Sequence, residues 1–278
     1  MKRYSIRSID GSSLTIYTIE SNPDLQVIWV HGITSDMDTM QAGAYELGRS
    51  GLKAEHLFPV MRGYESSSGL IHTPERNRLI DDLEAVLLNA QGKRLIIAGH
   101  SMGCGTILRM IEQRGWPGQV MHIVLLAPFI HPALPVYQKG NEESDDGMYR
   151  LYMKRAAAAG ILDRTGLNLL KRLPVIDIPS RLVPYDPYSD VVKKSISYEY
   201  MMGRFVEKPA SIKQFPWKRI SVLIGSEDEI IAAQTLQTFL HKEAGVRVLT
   251  APAENHNSLL TSSYVSELFQ QITLKKPF

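Results

Sequence analysis

The chain lacks several things, and each absence removes a class of explanation. It has one cysteine, Cys104, in 278 residues. A single thiol excludes an intrachain disulfide framework, which fits a reducing cytosol without excluding a disulfide-free exported protein. No stretch approaches the ~18 consecutive apolar residues that a membrane-spanning helix requires, so no integral membrane insertion is expected. The opening "MKRYSIRSIDGSSLTIYTIE" has no apolar signal-peptide core; it alternates apolar and polar residues and reads as structure. Charge of one sign is also missing: 31 basic and 29 acidic residues leave a net +2. That balance provides no electrostatic footprint for nucleic acid or a membrane surface, and pairs such as Lys193-Lys194 and Lys275-Lys276 read as solvated faces. No His/Cys cluster accompanies the paired acids Asp81-Asp82 and Asp145-Asp146, and "GHSMGCG" lacks the lysine of a phosphate-binding loop. The expectation is a cytoplasmic protein with no metal, no cofactor and a small molecule as its partner.

What is present is an ordinary globular composition, 44% hydrophobic and 22% charged, arranged with a rhythm. Apolar positions around Asp10-Gly11 predict an opening hairpin of two antiparallel strands. "LQVIWVHG" is a short continuous apolar run, the signature of a strand buried on both faces. A helix over about 38–49, a strand in "AEHLFPVMRG" and a helix over about 74–90 follow. The last has Thr73-Pro74-Glu75 at its start, and Leu79, Ile80, Leu83, Val86 and Leu87 along one face. "RLIIAGH", a helix from near Ser101, and "VMHIVLLAP" continue the alternation, which predicts a mostly parallel sheet with helices on both faces. From 131 to 212 the rhythm stops. Prolines recur, no strand-like run is evident, and pieces such as "MYRLYMKRAAAAG" and "TGLNLLKRL" read as short helices. The predicted organisation is one α/β core domain made of 1–130 and 213–278, with a helical insertion over 131–212.

Reactive residues are sought on loops that leave the carboxyl ends of the strands. "LIIAGHSMGCG" places Ser101 in Gly-x-Ser-x-Gly between a strand and a helix, where flanking glycines let the backbone turn tightly and expose the hydroxyl. A serine needs a base, and the base needs an orienting group. In chain order Ser, acid, His, the acid is sought after "ISVLIG" and the histidine after the next strand. Asp228 and His256 occupy those loops; Glu227 and Glu229 keep the acid assignment open, with the shorter carboxylate favoured. The oxyanion formed on attack needs backbone N–H donors, and Met102, next to the serine, and Ile33, after the turn at Gly32, fit.

Taken together, "WVHGI", "MRGYESSSG", "GHSMG", "LLAPF", "GSEDEI" and "ENHNS" resemble the α/β-hydrolase superfamily, most closely its monoacylglycerol lipase, lysophospholipase and esterase branch. The resemblance implies an α/β-hydrolase fold with Ser101 as nucleophile, His256 as base and then acid, Asp228 as its orienter, and the amides of Ile33 and Met102 as the oxyanion hole. It makes 131–212 a helical cap; the cap's Met and Tyr residues between 148 and 202 suit either a wall over an acyl group or simple packing of the cap on the main domain. The implied activity is a serine hydrolase cleaving the carboxylic ester of a small or lipid-like substrate through an acyl-enzyme. Thioesters or amides would suit the same machinery; a ligand-binding protein or a cofactor-free lyase on this fold is the rival from another class.

Overall fold

A computed structural model describes residues 1–19, 24–34, 37–67, 75–90, 94–138, 149–183, 186 and 188–274. Its opening is the expected hairpin: β1 (Lys2–Arg7) pairs antiparallel with β2 (Ser13–Ile19), with Ile6 opposite Leu14 and Tyr4 opposite Ile16. Then strand and helix alternate through β3 (Leu25–Val30), α1 (Met37–Arg49), β4 (Glu55–Pro59), α2 (Arg78–Asn89), β5 (Arg94–His100), α3 (Met102–Arg114) and β6 (Val120–Leu126). After the insertion come β10 (Ile220–Gly225), α6 (Ala233–Ala244), β11 (Val248–Ala251) and α7 (Ser263–Leu274).

These strands form one eight-stranded sheet in the order β1-β2-β4-β3-β5-β6-β10-β11, parallel from β4 onward. Every residue of β3 is buried, as are all but the first of β5. Successive side chains of a strand point to opposite faces, so continuous burial means that both faces are covered. The chain leaves β3 for β4 on one side and returns to β5 on the other, making the carboxyl ends of β3 and β5 the switch point where a ligand crevice is expected.

Two expectations need correction. The start of α2 at Thr73-Pro74 lies outside the described residues, and the helix runs from Arg78 with Asn77 before it. On that helix Asp82 is not on a solvated face: it is fully buried and receives two hydrogen bonds from Arg62, at 2.7 and 2.5 Å, because the β1–β2 hairpin and the loop after β4 cover it. Asp81 is likewise held, by Arg114 at 3.2 Å.

The insertion is not purely helical either. It holds β7 (Arg150–Leu151), α4 (Met153–Arg164), β8 (Pro174–Arg181), β9 (Val191–Ser197) and α5 (Tyr198–Met202), and the three strands make an antiparallel sheet in that order. Prolines 174 and 179 masked β8. Pro174 is the first residue of the strand, and Pro179 lies beyond the two positions where β7 pairs, so neither missing N–H interrupts a two-sided ladder. Lys194, in β9, donates to the Gly63 carbonyl at 2.7 Å and is not simply a solvated cation. No helix among the described residues is long and apolar enough to cross a membrane.

Candidate active site

Ser101 sits between the last residue of β5 and the first of α3 with φ 52° and ψ −124°, a left-handed backbone that a non-glycine residue adopts only under constraint. The constraint is visible in the hydrogen bonds. The Ser101 amide donates to Leu126 O at 3.0 Å, and the Ser101 carbonyl accepts from Cys104 N at 3.1 Å and Phe129 N at 3.0 Å. Two glycines make this turn possible. A Cβ at Gly103 would collide with the Val30 carbonyl oxygen, and one at Gly32 would lie 3.1 Å from the Cβ of Ser101. The strand that brings Ser101 and the loop that brings Ile33 therefore approach to backbone contact, so glycine is a requirement of packing here.

The acid and the histidine come from the loops after β10 and β11. Asp228 and His256 are both buried, and His256 Nδ1 lies 2.8 Å from Asp228 Oδ2. The carboxylate can only accept, so Nδ1 carries a proton, and in the neutral imidazole Nε2 is the nitrogen that keeps a lone pair. The other oxygen, Oδ1, accepts the backbone N–H groups of Ile230 at 2.9 Å and Ile231 at 2.7 Å, which fixes the carboxylate plane. The open choice among three acids has a geometric answer: Asp228 holds the imidazole, while Glu229 accepts the His256 backbone N–H at 3.0 Å and Glu227 is exposed. Asp228 does not cap a helix, since α6 starts at Ala233.

His256 is tied to the nucleophile's strand through His100, the residue before Ser101. His100 Nε2 donates to the His256 carbonyl at 2.9 Å, and the two rings lie 4.8 Å apart. Burial, and then the neighbouring His256, hold His100 down at about 3, so it stays a neutral donor. The structure thus joins Asp228 to His256, seats His256 against the residue preceding Ser101, and puts Ser101, Ile33 and Met102 on one cavity wall.

Met102 is the first residue of α3, so its N–H has no partner within the helix. Ile33 belongs to a loop whose three consecutive carbonyls are each held by a side chain: His31 O by Arg204 at 3.1 Å, Gly32 O by His31 Nδ1 at 2.7 Å, and Ile33 O by the Tyr64 hydroxyl at 2.8 Å. His31 Nε2 meanwhile accepts the Met61 N–H at 3.1 Å, and burial with the nearby Arg204 holds this ring at about 3, neutral and in the Nδ1–H form. Sequence reading missed Tyr64 and Arg204 as contributors. The phrases "MRGYESSSG" and "MMGRF" carried both, but nothing local says that they meet residue 31.

The cavity measures about 950 Å³. Ile33, Met102, Phe129 and Ile230 of the core face Tyr149, Met153, Ala157, Ile176, Tyr198, Met201 and Phe205 of the insertion across it. Of the expected cap residues, Tyr149, Met153, Tyr198, Met201 and Met202 do line it. Tyr152 instead donates to Asp177, Tyr200 is buried beneath the Arg62 carbonyl, Tyr188 projects into solvent, and Met148 and Tyr185 lie outside the described residues. Cys104 is buried in α3 with its thiol pushed up by burial, which is the condition of an inert packing residue.

Comparison with known proteins agrees with this fold. The family described as serine aminopeptidase, S33 matches residues 21–252. The chain belongs to that hydrolase family. It is a serine hydrolase on an α/β-hydrolase fold. No curated protein matches it significantly. Similar solved structures include an esterase from Rhodococcus sp. ECU1013, at 15% identity and TM-score 0.65 over 99% of both chains. A soluble variant of monoglyceride lipase from Saccharomyces cerevisiae is similar at 16% identity and TM-score 0.64, covering 96% of this chain and 93% of the other. An esterase from Exiguobacterium antarcticum gives 16% and 0.62, covering 97% of this chain and 98% of the other. At such identities the likeness is one of fold.

Proposed function

We propose that this serine hydrolase cleaves carboxylic esters with an apolar acyl group, using Ser101, His256 and Asp228 as a triad and the amides of Ile33 and Met102 as the oxyanion hole. The observation that carries the reading is the buried Asp228–His256 hydrogen bond packed against the strand end that presents Ser101 in a strained turn. In this mechanism His256 Nε2 takes the Ser101 hydroxyl proton as Oγ attacks the ester carbonyl carbon. Negative charge develops on the former carbonyl oxygen, where the two N–H groups receive it; losing one such donor costs on the order of 10² to 10³ in rate. Collapse of the intermediate breaks the C–O bond, and the alcohol leaves with the proton from His256. Water then repeats the attack on the acyl-enzyme with His256 again as base, releasing the acid and restoring Ser101.

The apolar lining of the cavity supports an acyl chain as the part that is bound. The insertion, which supplies much of that lining, acts as its cap. The family's description favours a second reading, an aminoacyl amide as the bond cleaved, by the same residues. The test is direct. Purified protein should label with a fluorophosphonate and hydrolyse a series of aryl esters faster than aminoacyl anilides, with kcat/KM rising as the acyl chain lengthens. Ser101→Ala should abolish labelling and lower turnover on the order of 10⁴-fold or more. An unlabelled, inactive parent would instead mean a binding protein on this fold, and preference for the anilides would move the assignment to the amide.

A further inference from the structure

Arg204, in the insertion just after α5, is among the largest side chains with no solvent exposure at all. A buried guanidinium is costly unless it is paired with a carboxylate and its donors are satisfied. Among the described residues Arg204 makes no ion pair, and its Nε and Nη2 have no hydrogen-bond partner. Nη1 donates to the carbonyl of His31 at 3.1 Å. The guanidinium lies over the rings of Tyr64 and Tyr200, with Cζ 5.6 and 5.9 Å from their centroids. For stability alone an apolar side chain of that length would serve better.

The position of those contacts gives the reason. Arg204 holds the first of the three carbonyls of the 31–33 loop and packs on the ring of Tyr64, whose hydroxyl holds the third. His31, between them, donates to the second. In a trans peptide the N–H points opposite to the C=O of the same unit, so fixing the Gly32 carbonyl aims the Ile33 N–H the other way. Gly105 shows how closely the segment is seated: a Cβ there would strike the Arg204 carbonyl oxygen, so α3 and Arg204 are in backbone contact. We infer that Arg204 is a positioning residue, through which the insertion holds the 31–33 loop with the Ile33 amide aimed at the developing oxyanion. The inference rests on the proposed role of that amide. It adds that the cap region takes part in the chemical step through a buried cation as well as by lining the cavity.

The test compares kcat, KM and melting temperature for the parent, Arg204→Met and Arg204→Lys on one aryl ester that the parent hydrolyses and that Ser101→Ala does not. A parent that fails this control refutes the proposed reaction itself, separately from any result at 204. Arg204→Met should lower kcat ten- to a hundredfold, change KM less than twofold, slow fluorophosphonate labelling in parallel, and melt at the parent's temperature or above it. Arg204→Lys keeps the charge but loses the planar fork, and should fall between the two in kcat. Activity lost only in proportion to folded protein, kcat within twofold of the parent in Arg204→Met, or failure of both variants to fold would each assign Arg204 a structural role and overturn the inference.

Discussion

The core and the insertion meet at one cavity, and they bury their surfaces differently. β3 and β5 are buried almost residue for residue, whereas α4, on the opposite wall, buries only Ala159 of its twelve residues. The turn at Ser101 is held by backbone hydrogen bonds and by glycines whose extra methyl would meet main chain. α4 presents Ala156, Ala157 and Gly160 to the cavity, and a Cβ at Gly160 would meet, among the described residues, only the Tyr198 hydroxyl, at an ordinary 3.5 Å. The division is physically sensible. Charge stabilisation during reaction needs groups fixed in advance, whereas choosing among acyl chains needs only volume and apolar surface.

The largest test of this division is kinetic. Asp228→Asn should lower kcat about 10⁴-fold for every ester, short or long, because the wrong imidazole tautomer is favoured regardless of the acyl group. Glu229→Gln, which removes charge but keeps an acceptor for the His256 amide, should cost less than tenfold. Ala157→Leu should leave the shortest esters at parental kcat/KM and lower the longest about tenfold. If Ala157→Leu slows all chain lengths equally, the insertion is not a selector and the contrast between the regions fails.

The same contrast explains what could be read without coordinates. β3, β5, β6 and β10 are legible because a strand covered on both faces is largely apolar, and Ser101, Asp228 and His256 could be sought together because the loops that carry them leave the same end of a parallel sheet. β8 and β9 were not legible. "PVIDIPSR" carries two prolines, and "VVKKSIS" keeps one face in solvent, so their pairing depends on each other and not on a local pattern. Asp82 looked solvated because its cover, Arg62, lies twenty residues away; Arg204 meets His31 across 173 residues. Long-range partners of polar side chains leave no periodicity to read.

A pair of glycine substitutions should give opposite signs in the two regions. Gly103→Ala drives a methyl into the Val30 carbonyl and should cost about 3 kcal/mol, the upper range for overpacking a dense site. Gly160→Ala, in the interior of α4 with room for a methyl, should gain about 0.5 to 1 kcal/mol from backbone entropy. Urea unfolding of both variants checks this, and two changes of the same sign would show that the regions are packed alike.

Acid should act on the core through its buried histidines. His31, His56 and His100 are buried in the core and held neutral, at about 3, 4 and 3 respectively. Their folded values lie below the unfolded one of about 6.5, so the unfolded chain binds more protons throughout that window. The stability they confer is therefore complete above about pH 6.5 and is lost as pH falls toward 4. His56 is the clean case, because burial alone lowers it, and its Nδ1 accepts the Trp29 indole N–H at 3.0 Å, an interaction that a glutamine oxygen can replace. His56→Gln should remove about 1.4 kcal/mol per pH unit from the acid slope between pH 6.5 and 4, since one proton fewer is taken up on unfolding. Urea midpoints at pH 7.5 and 5.5 measure it. An unchanged slope would mean that His56 is protonated in the native core, and that acid lability must be sought elsewhere.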